Sequence, residues 1–332
     1  MMRALRMVAA LTVVTVVLVV AAVPPGQAAP AKLRVAMILP GTIQDADFNA
    51  VGYVALLELK NTLGADVAYS EQVAVADAER VAREFIASGF NVIAFHGGQF
   101  LTIVQKLGPA FPDVNFVMES SGRIDGLPPN VWNIGRKFYQ GFYTLGVLAA
   151  LSTQTNVIGY ISGVRLPDFV ASLNAVKFAL KEFNPRAELL YTFVGDQNDP
   201  VRARQAAEAV IARNADFIII QVNLGAFGVI EAAKASPRKV LWTTFYTDKY
   251  TLDQQRFAAS LLLDFTKPYR DVVARISRGQ RGGYYEMRPG AGMSLGVIRN
   301  VSNETKLRVL KVFNEVVGNT RKIDEIIDRI VE

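Results

Sequence analysis

The sequence predicts an α/β protein of two doubly wound parallel-sheet lobes joined by a hinge, and three observations predict it. The chain has 332 residues, beyond the size at which a single core stops growing, so two domains are expected. From Leu33 onward, short runs rich in β-branched and aromatic residues alternate with stretches that are apolar at helical spacing, the pattern of βαβ units around a parallel sheet. No low-complexity linker separates the first series of units from the second, which favours close, hinged lobes over independent ones.

The first element is a leader. Arg3 and Arg6 precede an apolar run of 16 residues, 8–23, interrupted by Thr12 and Thr15 and stopped by Pro24 and Pro25. Gly26, Ala28 and Ala29 follow, small residues of the kind a signal peptidase accepts. Residues 1–28 are therefore expected to be a signal peptide cleaved after Ala28, with an uncleaved anchor as the competing reading. The chain has no cysteine and so no site for an N-terminal lipid; an exported, soluble, periplasmic monomer without a lipid anchor is expected.

In the first lobe, strands are expected at 34–39, 67–70, 92–95, 115–118 and 131–134, nearly continuous in apolar residues, as helices on both faces of a sheet require. Helices are expected at 46–63, 76–88, 101–110 and 138–151. Gly64 and Gly89 stand where a left-handed cap ends the first two, and Pro109 with Pro112 ends the third. The second lobe repeats the pattern, with strands at 157–161, 188–194, 216–221, 239–243 and 257–263 and helices at 168–183, 200–214, 226–235 and 267–278. A glycine-rich stretch, 279–292, then precedes a strand at 294–299 and helices at 303–317 and 323–331. Crossings at 151–156, near Asp264 and near Met293 would give lobes of 29–152 plus 264–292 and 153–263 plus 293–332.

Net charge is +6, and +4 once Arg3 and Arg6 leave with the leader, because 34 basic residues then face 30 acidic ones. There is no long basic block, so nucleic acid is not expected as a partner. The lack of cysteine also removes disulfides, zinc–thiolate sites, iron–sulfur clusters and thiol nucleophiles. His96 is the only histidine, so a Ser-His-Asp arrangement could use no other, and no oxygen ligands with recognisable metal spacing accompany it. Neither a dinucleotide fingerprint nor a P-loop is present. No cofactor or metal is expected, and the chain does not read as an enzyme.

The loop after the first strand, Gly41-Thr-Ile-Gln-Asp-Ala-Asp-Phe-Asn49, contains Asp45-x-x-Phe48-Asn49. A loop leaving the carboxyl end of a strand faces the ligand crevice of an open α/β sheet, and an aromatic face there suits a flat ligand. The competing readings are a core position for Phe48 and a helix cap for Asp45. This motif resembles the opening of the basic membrane protein family of substrate-binding proteins. The similarity continues in the family's order through Phe111-Pro-Asp-Val-Asn-Phe-Val-Met-Glu-Ser120, Asn130-Val131, Gly141-Phe-Tyr-Thr-Leu-Gly-Val-Leu-Ala-Ala150, Val157-Ile-Gly-Tyr160, Asn184-Pro185, Ala215-Asp216 and Gly228-Val-Ile-Glu-Ala-Ala-Lys234. The resemblance implies a type I periplasmic-binding fold, two lobes closing over a small-molecule ligand, and partnership with the membrane permease of an ABC importer. Characterised members of the family bind purine nucleosides. Carried over by position, that makes Phe48 the platform under the base and Asp45 and Asn49 its polar neighbours.

Other strand ends supply further candidates. His96 and Gly97 end the third strand, where ligand contact and a packing role both stand open. Gly97-Gly98 and Gly225-x-x-Gly228 follow strands and open helices, a geometry that brings backbone N–H groups toward a ligand. Gln221 and Asn223 could read a heterocycle edge, or cap a loop. Trp242, Phe245 and Tyr246 form either an aromatic face opposite Phe48 or ordinary core. Where nucleoside-binding members of the family carry Gly-Val-Asp-x-Asp-Gln, this chain has Trp242-Thr-Thr-Phe-Tyr-Thr-Asp248, and their Thr-Ser-x-x-Lys strand is replaced by Ala259-Ser-Leu-Leu-Leu263 followed by Asp264. Ribose hydroxyls are thus left without acidic partners unless Asp248 or Asp264 supplies them. The expected ligand is a purine-like heterocycle, a free base ahead of a nucleoside. A nucleoside-processing enzyme on the same scaffold and a ligand-sensing module for a membrane receptor are the competing functions.

Overall fold

The computed structural model describes residues 32–323, so the leader expected at 1–28 and nearly all of the helix expected at 323–331 lie outside the described residues. The first series of elements is β1 (Arg34–Ile38), α1 (Phe48–Leu63), β2 (Asp66–Ser70), α2 (Val75–Ala87), β3 (Val92–Phe95), α3 (Leu101–Ala110), β4 (Asn115–Ser120) and β5 (Val131–Arg136). The second is α4 (Phe138–Ser152), β6 (Val157–Ser162), α5 (Pro167–Phe183), β7 (Glu188–Phe193), α6 (Pro200–Ala212), β8 (Phe217–Gln221), α7 (Gly225–Ala235), β9 (Leu241–Tyr246) and β10 (Phe257–Leu263). The chain then runs through α8 (Thr266–Ser277), β11 (Gly283–Pro289), β12 (Gly292–Leu295) and α9 (Asn303–Val317).

Among the described residues, twelve strands follow the order β2-β1-β3-β4-β5-β11-β12-β10-β9-β8-β6-β7. Ladders within the two series are parallel, and β12 runs antiparallel to β10. The half that ends in β11 meets the half that begins with β12 through only Arg288↔Gly292 and Pro289↔Met293. The doubly wound α/β class expected from the sequence is therefore the one observed.

β1 shows why its run is continuously apolar. Val35 and Met37 enter one core with Leu56 and Leu59 of α1, while Ala36 and Ile38 enter another with Val81 of α2 and Val104 of α3. Successive strand residues face opposite ways, so a strand covered on both sides needs an apolar residue at each position. Each fully buried aliphatic side chain there contributes about 1.5–3 kcal/mol. In the second series Ile218 and Ile220 point to a third core with α6 and α7, and Phe217 and Ile219 to the core that contains α4. α4 is buried from Phe138 to Ala150, because α5, α9 and strands of the second series enclose it.

The structure departs from the expectation at the C-terminal end of the sheet. Within the glycine-rich stretch lies β11, whose Tyr285, Met287 and Pro289 are buried and alternate with less buried neighbours. The flanking glycines hid this alternation. The strand expected at 294–299 is instead the short β12, which stops at Leu295.

Candidate functional site

Loops that leave the carboxyl ends of strands from both halves enclose a cavity of about 230 Å³. Gly41 follows β1, Gly97 and Gln99 follow β3, and Arg136 ends β5. Opposite them, Asp168 follows β6, Gln197 and Asn198 follow β7, Asn223 follows β8 and Tyr246 ends β9. Larger hollows of about 570 and 700 Å³ lie beside Asp216 and Leu241 and beside Pro128 and Asn130, ahead of strands rather than after them. Ligands of open α/β sheets bind at the carboxyl ends, which singles out the smaller cavity.

Phe48 and Asn49 reach this cavity because Asp45 anchors the start of α1. The Asp45 carboxylate is 2% exposed. Its Oδ1 accepts from the Asp47 and Ala50 N–H groups at 2.9 and 3.0 Å, and its Oδ2 from the Asn49 N–H and side-chain amide at 2.9 and 2.7 Å. These are the orphan donors of a helix start, satisfied by one side chain. Asn49 in turn accepts from the Gly41 N–H at 3.0 Å and so ties the β1 loop to the helix.

The Phe48 ring lies on the His96 ring, centroids 4.0 Å apart and planes 20° from parallel. His96 Nε2 donates to the Phe48 carbonyl at 2.7 Å. Its Nδ1 meets Glu119 Oε1, so one proton must lie between these two buried groups. Tyr269 donates to the same carboxylate oxygen at 2.6 Å. Burial, reinforced by the Glu119 charge, raises the Tyr269 phenol well above its usual range, and it stays a donor. His96 thus supports the platform from beneath and does not line the cavity.

Among the described residues, two ion pairs connect the halves. Arg136 Nη2 donates to Asp168 Oδ2 at 3.1 Å, its Nη1 lies 3.7 Å from Glu119 Oε2, and the guanidinium carbon sits 5.5 Å from the Phe48 ring centroid. Asp168 Oδ1 has no hydrogen-bond partner among the described residues. In the second pair, the buried Lys249 ammonium donates to Asp47 Oδ1, while Thr247 donates to the Ala46 carbonyl at 3.2 Å. Burial raises the Asp47 carboxyl to about 7, with Lys249 opposing and the Asp45 charge adding.

Of the residues expected at the site, Phe48, Asn49, Gly97, Asn223 and Tyr246 line one cavity. Asp45 and His96 stand behind it. Gln221 is buried against α5, where its amide donates to Ser172 at 3.2 Å and accepts from Tyr160. Gly225 opens α7, and its N–H donates to the Gln197 carbonyl at 3.1 Å. Trp242 packs on Phe257 in the core beneath α6 and α7, and the exposed Asp264 accepts from the Thr266 N–H at 2.9 Å at the start of α8. Strict alternation along β9 would put Trp242 and Tyr246 on one face. A left-handed φ of 69° at Tyr246 turns that ring away, to 6.0 Å from Phe48. Such a conformation in a bulky residue costs on the order of 1–3 kcal/mol. Sequence reasoning missed Gln99, Arg136, Asp168, Gln197 and Asn198. Their signal was available, since each sits at or just beyond the carboxyl end of a strand.

A family model for Bmp, described as ABC transporter substrate-binding protein PnrA-like, matches residues 32–323. A purine-binding protein of Brucella abortus is 27% identical over 316 residues, covering 88% of this chain and 85% of that protein. A Haloferax volcanii protein whose name gives an ABC transporter and glucose is 25% identical over 263 residues, 76% of this chain and 63% of that protein. Among solved structures, an ABC transporter solute-binding protein of Conexibacter woesei superposes with a TM-score of 0.72 at 25% identity, over 87% of this chain and 98% of that one. The fold is that of the type I periplasmic-binding proteins.

Proposed function

We propose that the chain, which belongs to the Bmp family of ABC transporter substrate-binding proteins, captures a small flat heterocycle of the nucleobase type between its two sheet halves and delivers it to the permease of an importer. The observation that carries this reading is Phe48, a half-buried ring backed by His96 at 4.0 Å and set in the wall of a cavity to which both halves contribute. An aromatic face stacked on a base contributes roughly 1–3 kcal/mol. The name of the Brucella relative, which is of a purine-binding protein, points the same way. Residues 1–28 carry the features of a cleaved leader, which supports action as an exported protein in the periplasm.

A free base is favoured over its nucleoside. The cavity of about 230 Å³ is below the roughly 300–1,000 Å³ usual for drug-sized ligands. Of the carboxylates, Asp264 accepts from the Thr266 N–H at the start of α8 and Asp248 lies 3.6 Å from Arg299, while Asp168, whose Oδ2 is held by Arg136, offers the cavity one oxygen for the two hydroxyls of a ribose. A hydroxyl buried without a partner costs roughly 1–3 kcal/mol. Closure is read as motion of one half against the other about three connections. The packing of α4 on α5 supports drawing the first near Lys137, ahead of α4, rather than at 151–156. Calorimetric titration of the mature protein with adenine, hypoxanthine, their nucleosides and glucose tests the reading. The bases should bind most tightly; tighter nucleoside binding would reverse the preference, and binding of glucose alone would overturn the ligand class.

A further inference from the structure

We propose that Gln197 reads the hydrogen-bonding edge of the ligand, which therefore presents an adjacent donor and acceptor there, as a lactam or an amidine does. This rests on the ligand being a flat heterocycle seated on Phe48. Both polar atoms of the Gln197 side chain, Oε1 and Nε2, are buried and have no hydrogen-bond partner among the described residues. Two other amides of the cavity wall are engaged, Asn49 with Asp45 and Gly41 and Asn198 with the Leu224 N–H. A buried primary amide with neither function satisfied is unfavourable unless something arrives to pair with both.

The loop holds this amide in place. Asp196 Oδ1 accepts from the Asn198 N–H at 2.8 Å, the Gln197 carbonyl accepts from the Gly225 N–H at 3.1 Å, and Asp199 caps α6 through the Val201 and Arg202 N–H groups at 2.9 and 3.0 Å. The side chain lies over Gly163, in the loop after β6. A Cβ at Gly163 would stand 2.3–2.5 Å from the Gln197 Cδ, Oε1 and Nε2, so a larger residue there would displace the amide from this position. Gln197 lines the same cavity as Phe48. A primary amide offers one donor and one acceptor side by side, and it pairs equally well with a ring N–H beside a carbonyl or a ring nitrogen beside an amino group.

The test compares hypoxanthine, adenine and purine without a 6-substituent on wild type, Gln197→Leu and Gly163→Ala, with circular dichroism and thermal melts reporting the fold. Wild type should bind hypoxanthine or adenine more tightly than unsubstituted purine. Gln197→Leu should weaken the favoured base by about 5- to 150-fold and leave unsubstituted purine nearly unchanged; Gly163→Ala should shift the pattern the same way. Equal affinity of wild type and Gln197→Leu for all three would overturn the assignment while leaving the heterocycle reading intact, as would a uniform loss across all three. If wild type binds none of the three, the heterocycle reading falls and the Gln197 assignment with it.

Discussion

Replacing Asp45 with alanine separates a structural carboxylate from a ligand-binding one. The side chain satisfies three buried backbone donors, on Asp47, Asn49 and Ala50, and the Asn49 amide. Loss of a helix cap costs about 0.5–2 kcal/mol, and each buried donor left without a partner up to roughly 1–3 kcal/mol more. Water reaching the gap offsets part of this, so a net loss of about 2–4 kcal/mol is expected, a fall in Tm of about 5–10 °C for a domain of this size. Asp45→Asn should fall between, because it keeps one acceptor but turns an amino group toward the Asn49 N–H. Differential scanning calorimetry without ligand measures the drop, and titration well below the transition measures affinity. An unchanged Tm with abolished binding would refute the assignment and return Asp45 to direct ligand contact.

Two further outcomes are expected. Phe48→Ala should weaken binding of a nucleobase by about 5- to 150-fold at little cost to the fold, read by titration; unchanged affinity would assign Phe48 to packing alone. Asp47 carries its proton up to about pH 7 in the folded chain against 3.8 when unfolded, so the folded state binds the extra proton between these values and stability falls as pH rises through them. The contribution is whole below the unfolded value and is lost above the folded one. Asp47→Asn should therefore gain on wild type between pH 4 and 8, by at most about 4 kcal/mol, in denaturant titrations across that range; a gap independent of pH would refute it.

The fold was legible because its signals are local. The apolar run of β3 and the spacing of α3 are each contained in one stretch of chain, and both elements begin and end where expected. β11 was not, because its alternation is short and bounded by glycines that serve turns equally well. At the site, Phe48 was legible from a motif confined to one loop. Arg136 and Asp168 stand where strand ends point to them, but their pairing was not legible: they meet each other across the cavity, and nothing in either one's neighbours in sequence announces it. The His96–Glu119–Tyr269 contact joins β3, β4 and α8 in the same way. Tyr246 is the sharpest case, since a single backbone angle undoes the periodicity by which Trp242 and Tyr246 would be grouped.

The pairing of Arg136 bears on what the cavity refuses. Its guanidinium is the cation in the cavity wall, and it already lies between Asp168 at 3.1 Å and Glu119 at 3.7 Å. A phosphorylated ligand would bring about −1.5 to −2 charges to a wall whose positive charge is answered and whose nearest free oxygen, Asp168 Oδ1, is itself anionic. On the proposed reading, nucleotides would be turned away by repulsion as well as by size. Because the pair is buried, dissolved salt screens it little, and that discrimination would hold in dilute and saline media alike. On the reading proposed above, the protein would accept its compounds only after their phosphates have been removed.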